Sequence, residues 1–261
     1  MFNSNNSLLL KQKLTVLIEY VGGLALLFFQ TIFWAFSRPF KRKPVIEQMS
    51  KTGVDSFLIV FLTAFFTGIV LAFQTAYTMK QMSAEIYIAS LVSLSMTREL
   101  GPVLTALVVA ARVGASITAE VGTMKVTEQI DALETLATNP IKYLVVPRYL
   151  ALSIMLPILT IYADFVGILG GFIVGVSKLH ISPYLYMKKT FDSLVFKDVF
   201  TGLLKSLIFA AVISLVACYE GMRTRGGAEG VGKSTTLSVV TSCVLVIALD
   251  CFFTAVFYFI W

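Results

Sequence analysis

The chain has 261 residues, 57% of them hydrophobic and only 14% charged, far from the usage of water-soluble globular domains, in which about a quarter of residues are charged. The formal net charge of +6 does not argue for nucleic acid, because the basic residues sit in short segments beside apolar runs, where they act as topology signals. Three cysteines without CxxC spacing and one histidine, His180, support neither a disulfide framework nor a zinc site nor a His-based triad.

These bounds predict an all-α, polytopic membrane protein with one membrane domain over 1–261. Met1 to Ser7 is polar and no small-residue cleavage site follows the first apolar run, so no cleavable signal is expected. Residues 8–45 contain an apolar stretch interrupted by Glu19, Gly22-Gly23 and Gln30. Lys11 and Lys13 precede it and Arg38, Lys41, Arg42 and Lys43 follow it. A crossing would export one of the two basic clusters, so the segment is read as an interfacial amphipathic helix.

Five spans follow, at 55–77, 99–122, 149–176, 199–219 and 237–260. Each is long enough, since a helix rising about 1.5 Å per residue needs roughly 20 residues to cross a ~30 Å core. Phe73 and Tyr77, with Met79, close the outer end of the first and could form the apolar wall of a path through the protein. A short outer connection holding Met79, Lys80, Met82 and Tyr87 leads to the second. Along it Ala106, Ala110, Gly114, Thr118 and Gly122 recur every fourth position, a ridge of small side chains that lets another backbone approach. In the third, Gly167, Gly171 and Gly175 form overlapping GxxxG motifs with the same meaning. Residues 178–198 read as an outer loop with local structure, and 220–236 as a glycine-rich polar loop.

Between the second and third spans, residues 123–138 form a short two-faced helix. Val126, Ile130, Leu133 and Ala137 share one side and Glu128, Asp131 and Glu134 the other; Asn139-Pro140 then blocks its continuation. The acidic face is repelled by anionic headgroups, so a groove on a soluble partner is the better seat. Gly122 is expected to end the span and let the short helix pivot.

Over GPVLTALVVAARVGASITAEVGTMKVTEQIDALETLATNPIKYLVVPR, and again at GMRTRGGAEGVG, the sequence resembles the MlaE-type permeases, membrane subunits of ABC systems that move phospholipid between Gram-negative membranes. The resemblance extends over essentially the whole chain in length and span order. It implies a bacterial inner-membrane protein that helps maintain outer-membrane lipid asymmetry. It also implies a separate cytoplasmic ABC ATPase, a small cytoplasmic regulatory subunit and a periplasmic MCE-type lipid-binding protein, with no cofactor, metal or catalytic residue in the permease. The segment 123–138 then corresponds to a coupling helix, with Glu120, Met124, Val126, Glu128, Ile130, Asp131 and Leu133 facing the ATPase. Five spans do not readily enclose a lipid path, so a homodimer with the path at its interface is expected.

Thirteen Lys and Arg residues fall on the side of the N-terminus and of 123–138, and five (Lys80, Lys178, Lys188, Lys189, Lys197) on the other. The N-terminus is therefore predicted in the cytoplasm and Trp261, after five crossings, in the periplasm.

One motif points elsewhere. Gly227 to Ser234 matches GxxxxGK[ST], and VLVIALD at 244–250 imitates the strand whose aspartate holds magnesium. The match lies between two membrane-length apolar runs with no βαβ pattern around it, and too few residues separate Ser234 from Asp250 for a parallel crossover. It is read as coincidental.

The ionisable residues at membrane depth are Arg98, Glu99, Arg112, Glu120, Asp164, Lys205 and Asp250. Each costs about 2.5 to 3.5 kcal/mol or more against lipid, so they are expected to pair or to line a wet cavity. Two readings stand. In one, Lys205 with Asp250 or Glu99, and Arg112 with Asp164 or Glu120, are structural ion pairs. In the other, Arg98, Glu99, Lys205 and Asp250 ring the exit of a lipid path, as matching charges do near the cavity of MlaE-like permeases. A secondary transporter or channel using the buried carboxylates for ion coupling is the competing function, although no internal repeat is present to favour it.

Overall fold

The computed structural model describes residues 3–37, 42–81 and 84–260, and every regular element in them is helical. Arg38, Lys41, Met82 and Trp261 lie outside the described residues, as do the side chains of Lys11 and Lys13. In chain order the helices are α1 (Asn3–Ala35), α2 (Arg42–Gly53), α3 (Phe57–Gln81), α4 (Ile88–Ser95), α5 (Gly101–Val109), α6 (Ala115–Val126), α7 (Gln129–Thr135), α8 (Val146–Ser177), α9 (Pro183–Ser193), α10 (Phe196–Met222) and α11 (Gly227–Ile260). Six stretches are long and apolar enough to cross a membrane, Ile18–Ala35 among them. The protein is a multi-pass membrane protein.

The first region is two helices rather than one. α1 ends at Ala35 and α2 opens at Arg42, running into α3 through a 3-10 turn at Val54–Ser56. The second span also starts earlier than its apolar core suggests: α4, α5 and α6 follow one another through π turns at Met96–Leu100 and Ala110–Gly114. A third π turn, Ile141–Val145, precedes α8. Pro102 and Pro147 lie just past two of these turns. A proline ring clashes with the carbonyl four residues back and cannot donate to it, and a widened turn accommodates that ring.

Glycine sets the distance between α3 and α8. A Cβ on Gly68 would run into the carbonyl of Gly167, and one on Gly170 into that of Phe65. With their backbones this close the two helices pack along their length, as small-residue faces allow. The small ridge of the second span is buried as a unit against α10 and α11. Ala106 and Ala110 are fully enclosed, and a Cβ on Gly114 would touch Ile213 on α10. Thr118 Oγ1 sits 2.8 Å from Ser238 Oγ on α11 and 3.1 Å from the Ala217 carbonyl on α10.

Candidate functional site

Two ends of this bundle carry polar chemistry. At one, Lys205 of α10 is 1% exposed, and its ammonium is enclosed by oxygen. Nζ donates to Glu99 Oε2 at 2.6 Å, Thr254 Oγ1 at 2.7 Å, Asp250 Oδ1 at 2.9 Å and the Arg98 carbonyl at 3.3 Å. The carbonyl is available for a reason written in the sequence: in an α-helix its donor would be residue 102, which is proline and has no N–H. Beside this group Arg98 holds Asp198, with Nε and Nη2 each 2.7 Å from Oδ1. Asp198 is itself fixed, because Oδ2 accepts from the Val195 amide at 3.1 Å at the start of α10. Arg98, Glu99, Lys197, Asp198, Thr201, Lys205, Thr254, Phe257 and Tyr258 line a cavity of about 560 Å³.

Of the lipid-path residues expected from sequence, Arg98, Glu99, Lys205 and Asp250 therefore come together, Asp250 as a partner of Lys205 just behind the cavity wall. Phe73, Tyr77 and Met79 do not line it. Phe73 and Tyr77 are exposed on α3, while Met79 packs against the small apolar cluster of Ala72, Ile88 and Val92. Asp198 and Thr254 were not anticipated. Their signals are local: Asp198 follows Val195 by three residues, the N3 position of a capped helix, and Thr254 follows Asp250 by one helical turn.

The expected pairing of Arg112 with Asp164 or Glu120 does not occur. Arg112 reaches Ser56 Oγ at 2.8 Å and Asp55 at 3.4 Å, at the turn between α2 and α3. Glu120 instead accepts from Arg148 of α8 at 2.9 Å and Lys51 of α2 at 3.3 Å. Asp164 packs against Gly101, and its Oδ1 is buried without a hydrogen-bond partner. Sequence position along a span gives depth only; which helix stands alongside decides the partner.

The other polar end holds the turn between α6 and α8. The helix does not stop at Gly122: α6 continues to Val126, and Gly122 is a packing position where a Cβ would lie 2.9 Å from Thr224 Oγ1. The reversal comes instead at Glu128, whose φ of 61° is left-handed. It folds α7 back on the bundle, so Ile130 and Leu133 of the apolar face meet the chain's own core, while Ala137, past the end of α7 at φ 54°, is exposed. Ile130 is 4% exposed, and Met124 and Leu133 pack on the same core; Val126 is half-buried. The expectation that Ile130 enters a partner's groove is thus corrected. What α7 presents outward is Glu128, Asp131 and Glu134, with Leu136 beyond them 74% exposed. Lys125 ties the turn together through Asp131 at 2.7 Å.

A family model described as Permease MlaE matches residues 45–256, which contain both polar ends. The chain belongs to the MlaE permease family. A probable ABC transporter permease protein of Rickettsia typhi is 46% identical, covering 88% of each chain. One from Synechocystis is 47% identical over 81% of this permease and 80% of its own length. The intermembrane phospholipid transport system permease protein MlaE of Haemophilus influenzae is 36% identical, covering 82% of each chain.

In this MlaE permease the GxxxxGK[ST] match is not a loop. Gly227 to Ser234 forms the first turns of α11, so only residues 223–226 separate α10 from α11 and the expected polar loop of 220–236 is largely helical. What precedes the match is helix α10 rather than a β-strand, and from Val231 onward the backbone amides belong to a helix that continues into a span.

Proposed function

We propose that this permease is the membrane subunit of an ATP-driven phospholipid transporter of the bacterial inner membrane, helping to maintain outer-membrane lipid asymmetry. It works as a homodimer with a separate cytoplasmic ABC ATPase, a small cytoplasmic regulatory subunit and a periplasmic MCE-type lipid-binding protein, and is not itself an enzyme. The observation that carries this reading is the Lys205 cluster. A buried ammonium held by two carboxylates beside an open cavity, within otherwise apolar helices, suits a zwitterionic or anionic headgroup that must leave water while its tails stay in hydrocarbon. The printed name of the Haemophilus relative supports the same substrate class.

The coupling role falls to α6–α7. Ile130 makes α7 part of the bundle, so a push on the acidic outer face and Leu136 is transmitted to α6 and, through Glu120–Arg148, to α8. The cytoplasmic placement of this end follows the distribution of basic residues. α1 is read as lying along the same surface. Tyr20 meets Tyr219 near the end of α10, and Trp34 meets Lys142 before α8. Fourteen residues of helix, about 21 Å, thus run between two points at one end of the bundle, which favours an interfacial course and five crossings. On α3 the exposed Phe66, Phe73 and Tyr77 offer a face to a second copy, which would add the apolar wall that a single chain lacks.

The test is lipid movement in proteoliposomes. ATP and the co-purified ATPase are expected to be required. Movement driven by an ion gradient without ATP would instead support the ion-coupled alternative.

A further inference from the structure

α9 has three distinct faces. Tyr186 and Thr190 are buried against the bundle, and the Tyr186 ring fills the notch left by Gly171 and Gly175, where a Cβ on Gly175 would run into it. Burial raises the Tyr186 phenol above its usual range, so the ring stays neutral in its slot. Ser193 Oγ, 3.4 Å from Ser93 Oγ, and the Lys189 carbonyl, accepting from Ser90 Oγ at 3.4 Å, hold the same side to α4. At about 100° per residue, Tyr184, Met187 and Phe191 fall on a second flank, exposed by 72%, 42% and 67%. The third flank carries Lys188 and Asp192, both exposed, then Leu185, 40% exposed, and Lys189 at its edge, its Nζ 5.7 Å from the Tyr87 ring centre.

A helix divided this way has a flank for protein, one for hydrocarbon and one for water. Aromatic and thioether side chains beside lysines match the headgroup–acyl boundary of a bilayer, where Tyr keeps its hydroxyl wet and Lys reaches phosphate. We propose that α9 is a membrane-surface helix that seats Tyr184, Met187 and Phe191 in the adjoining leaflet and recruits anionic phospholipid headgroups onto Lys188 and Lys189. Charge favours this occupant, because Lys80 and Lys178 are exposed at the same end of the bundle. The apolar flank continues through Val195 and Phe196, which stacks on Phe200, up to Asp198 at the rim of the Arg98–Lys205 cavity. A lipid gathered at α9 therefore stands beside that cavity; this last step rests on the lipid-path reading, and the seating of α9 does not.

The test places a nitroxide at residue 191 (Phe191→Cys) or 188 (Lys188→Cys) in a chain whose Cys243 and Cys251 are serine, Cys218 being fully buried. The protein is reconstituted in nanodiscs of equal parts phosphatidylcholine and phosphatidylglycerol. The label at 191 is expected to collide several-fold more often with oxygen than with a water-soluble nickel chelate, and the label at 188 the reverse. Free access of the chelate to 191 overturns the proposal. If that access is lost only when a soluble partner subunit is added, the face is a protein-docking surface instead. For headgroup choice, a fluorophore at 191 is quenched by brominated lipids of either class. Preference for phosphatidylglycerol is expected to fall about five-fold with each of Lys188→Gln and Lys189→Gln, the equivalent of ~1 kcal/mol per lysine, and to weaken in high salt. Equal quenching by the two lipids removes the recruitment claim. Neither readout involves ATP-driven movement, so failure of the transporter reading leaves both intact.

Discussion

Lys205 Nζ and Glu99 Oε2 lie 2.6 Å apart, joining α10 to the π turn that accommodates Pro102. The lysine side chain is nearly sealed while the glutamate is 38% exposed, so the positive charge is buried and one of its counter-charges faces the cavity. Anything entering the cavity meets Glu99 before Lys205.

Removing the ammonium leaves Glu99 and Asp250 facing each other without a cation. Breaking a buried pair costs about 3–5 kcal/mol, here reduced by the exposure of Glu99. Lys205→Ala is expected to lower the thermal midpoint and abolish lipid movement while the assembled complex still purifies. Adding Glu99→Gln and Asp250→Asn should recover much of the midpoint without recovering transport. Wild-type transport by the single variant would reduce Lys205 to a packing residue.

Gly68→Ala forces α3 away from α8, because the new methyl group meets the Gly167 carbonyl and backbone cannot swing aside as a side chain can. A loss of about 1–3 kcal/mol is expected. Gly22→Ala is the control: nothing lies within 4 Å of its Cβ position, and helix propensity alone favours alanine by up to ~1 kcal/mol. Thermal unfolding in detergent should move in opposite directions for the two.

Ile130 and Leu136 separate anchoring from docking. Ile130→Ala removes a buried side chain, at about 2–5 kcal/mol, and should expose the α6–α7 turn to protease in the isolated permease. Leu136→Ala should leave protease resistance unchanged and weaken capture of the ATPase. If Leu136→Ala binds the ATPase normally, the outward face of α7 is not the docking surface.

Lys233→Ala tests the phosphate-loop match directly. Lys233 pairs with Glu229 one helical turn back on the exposed start of α11. ATP binding by the purified chain should be negligible before and after the substitution, and transport by the complete complex unaltered.

Much of this architecture can be read from residue order. Apolar runs of membrane length, the Ala106–Gly122 ridge and the glycines of the third span each act through composition and helical period, and those faces are indeed buried. Less legible were features created by a neighbour. Gly175 receives the Tyr186 ring of α9 rather than another span, and Gly122 meets Thr224 instead of ending its helix. Asp198 belongs to the polar cavity because α10 starts beside Arg98, a proximity between residues about a hundred positions apart.

Hydrophobicity and spacing alone determined that this chain lives in a membrane, how many long helices it contains and which helix faces carry small or charged side chains. Those properties depend on each residue's own transfer free energy and on a fixed helical period. Only the folded bundle decided that Lys205 takes both Glu99 and Asp250, that Arg112 turns to Asp55, and that α7 folds its apolar face inward. Partner choice among buried charges depends on which helices touch and at what height, and no local property of the sequence specifies that.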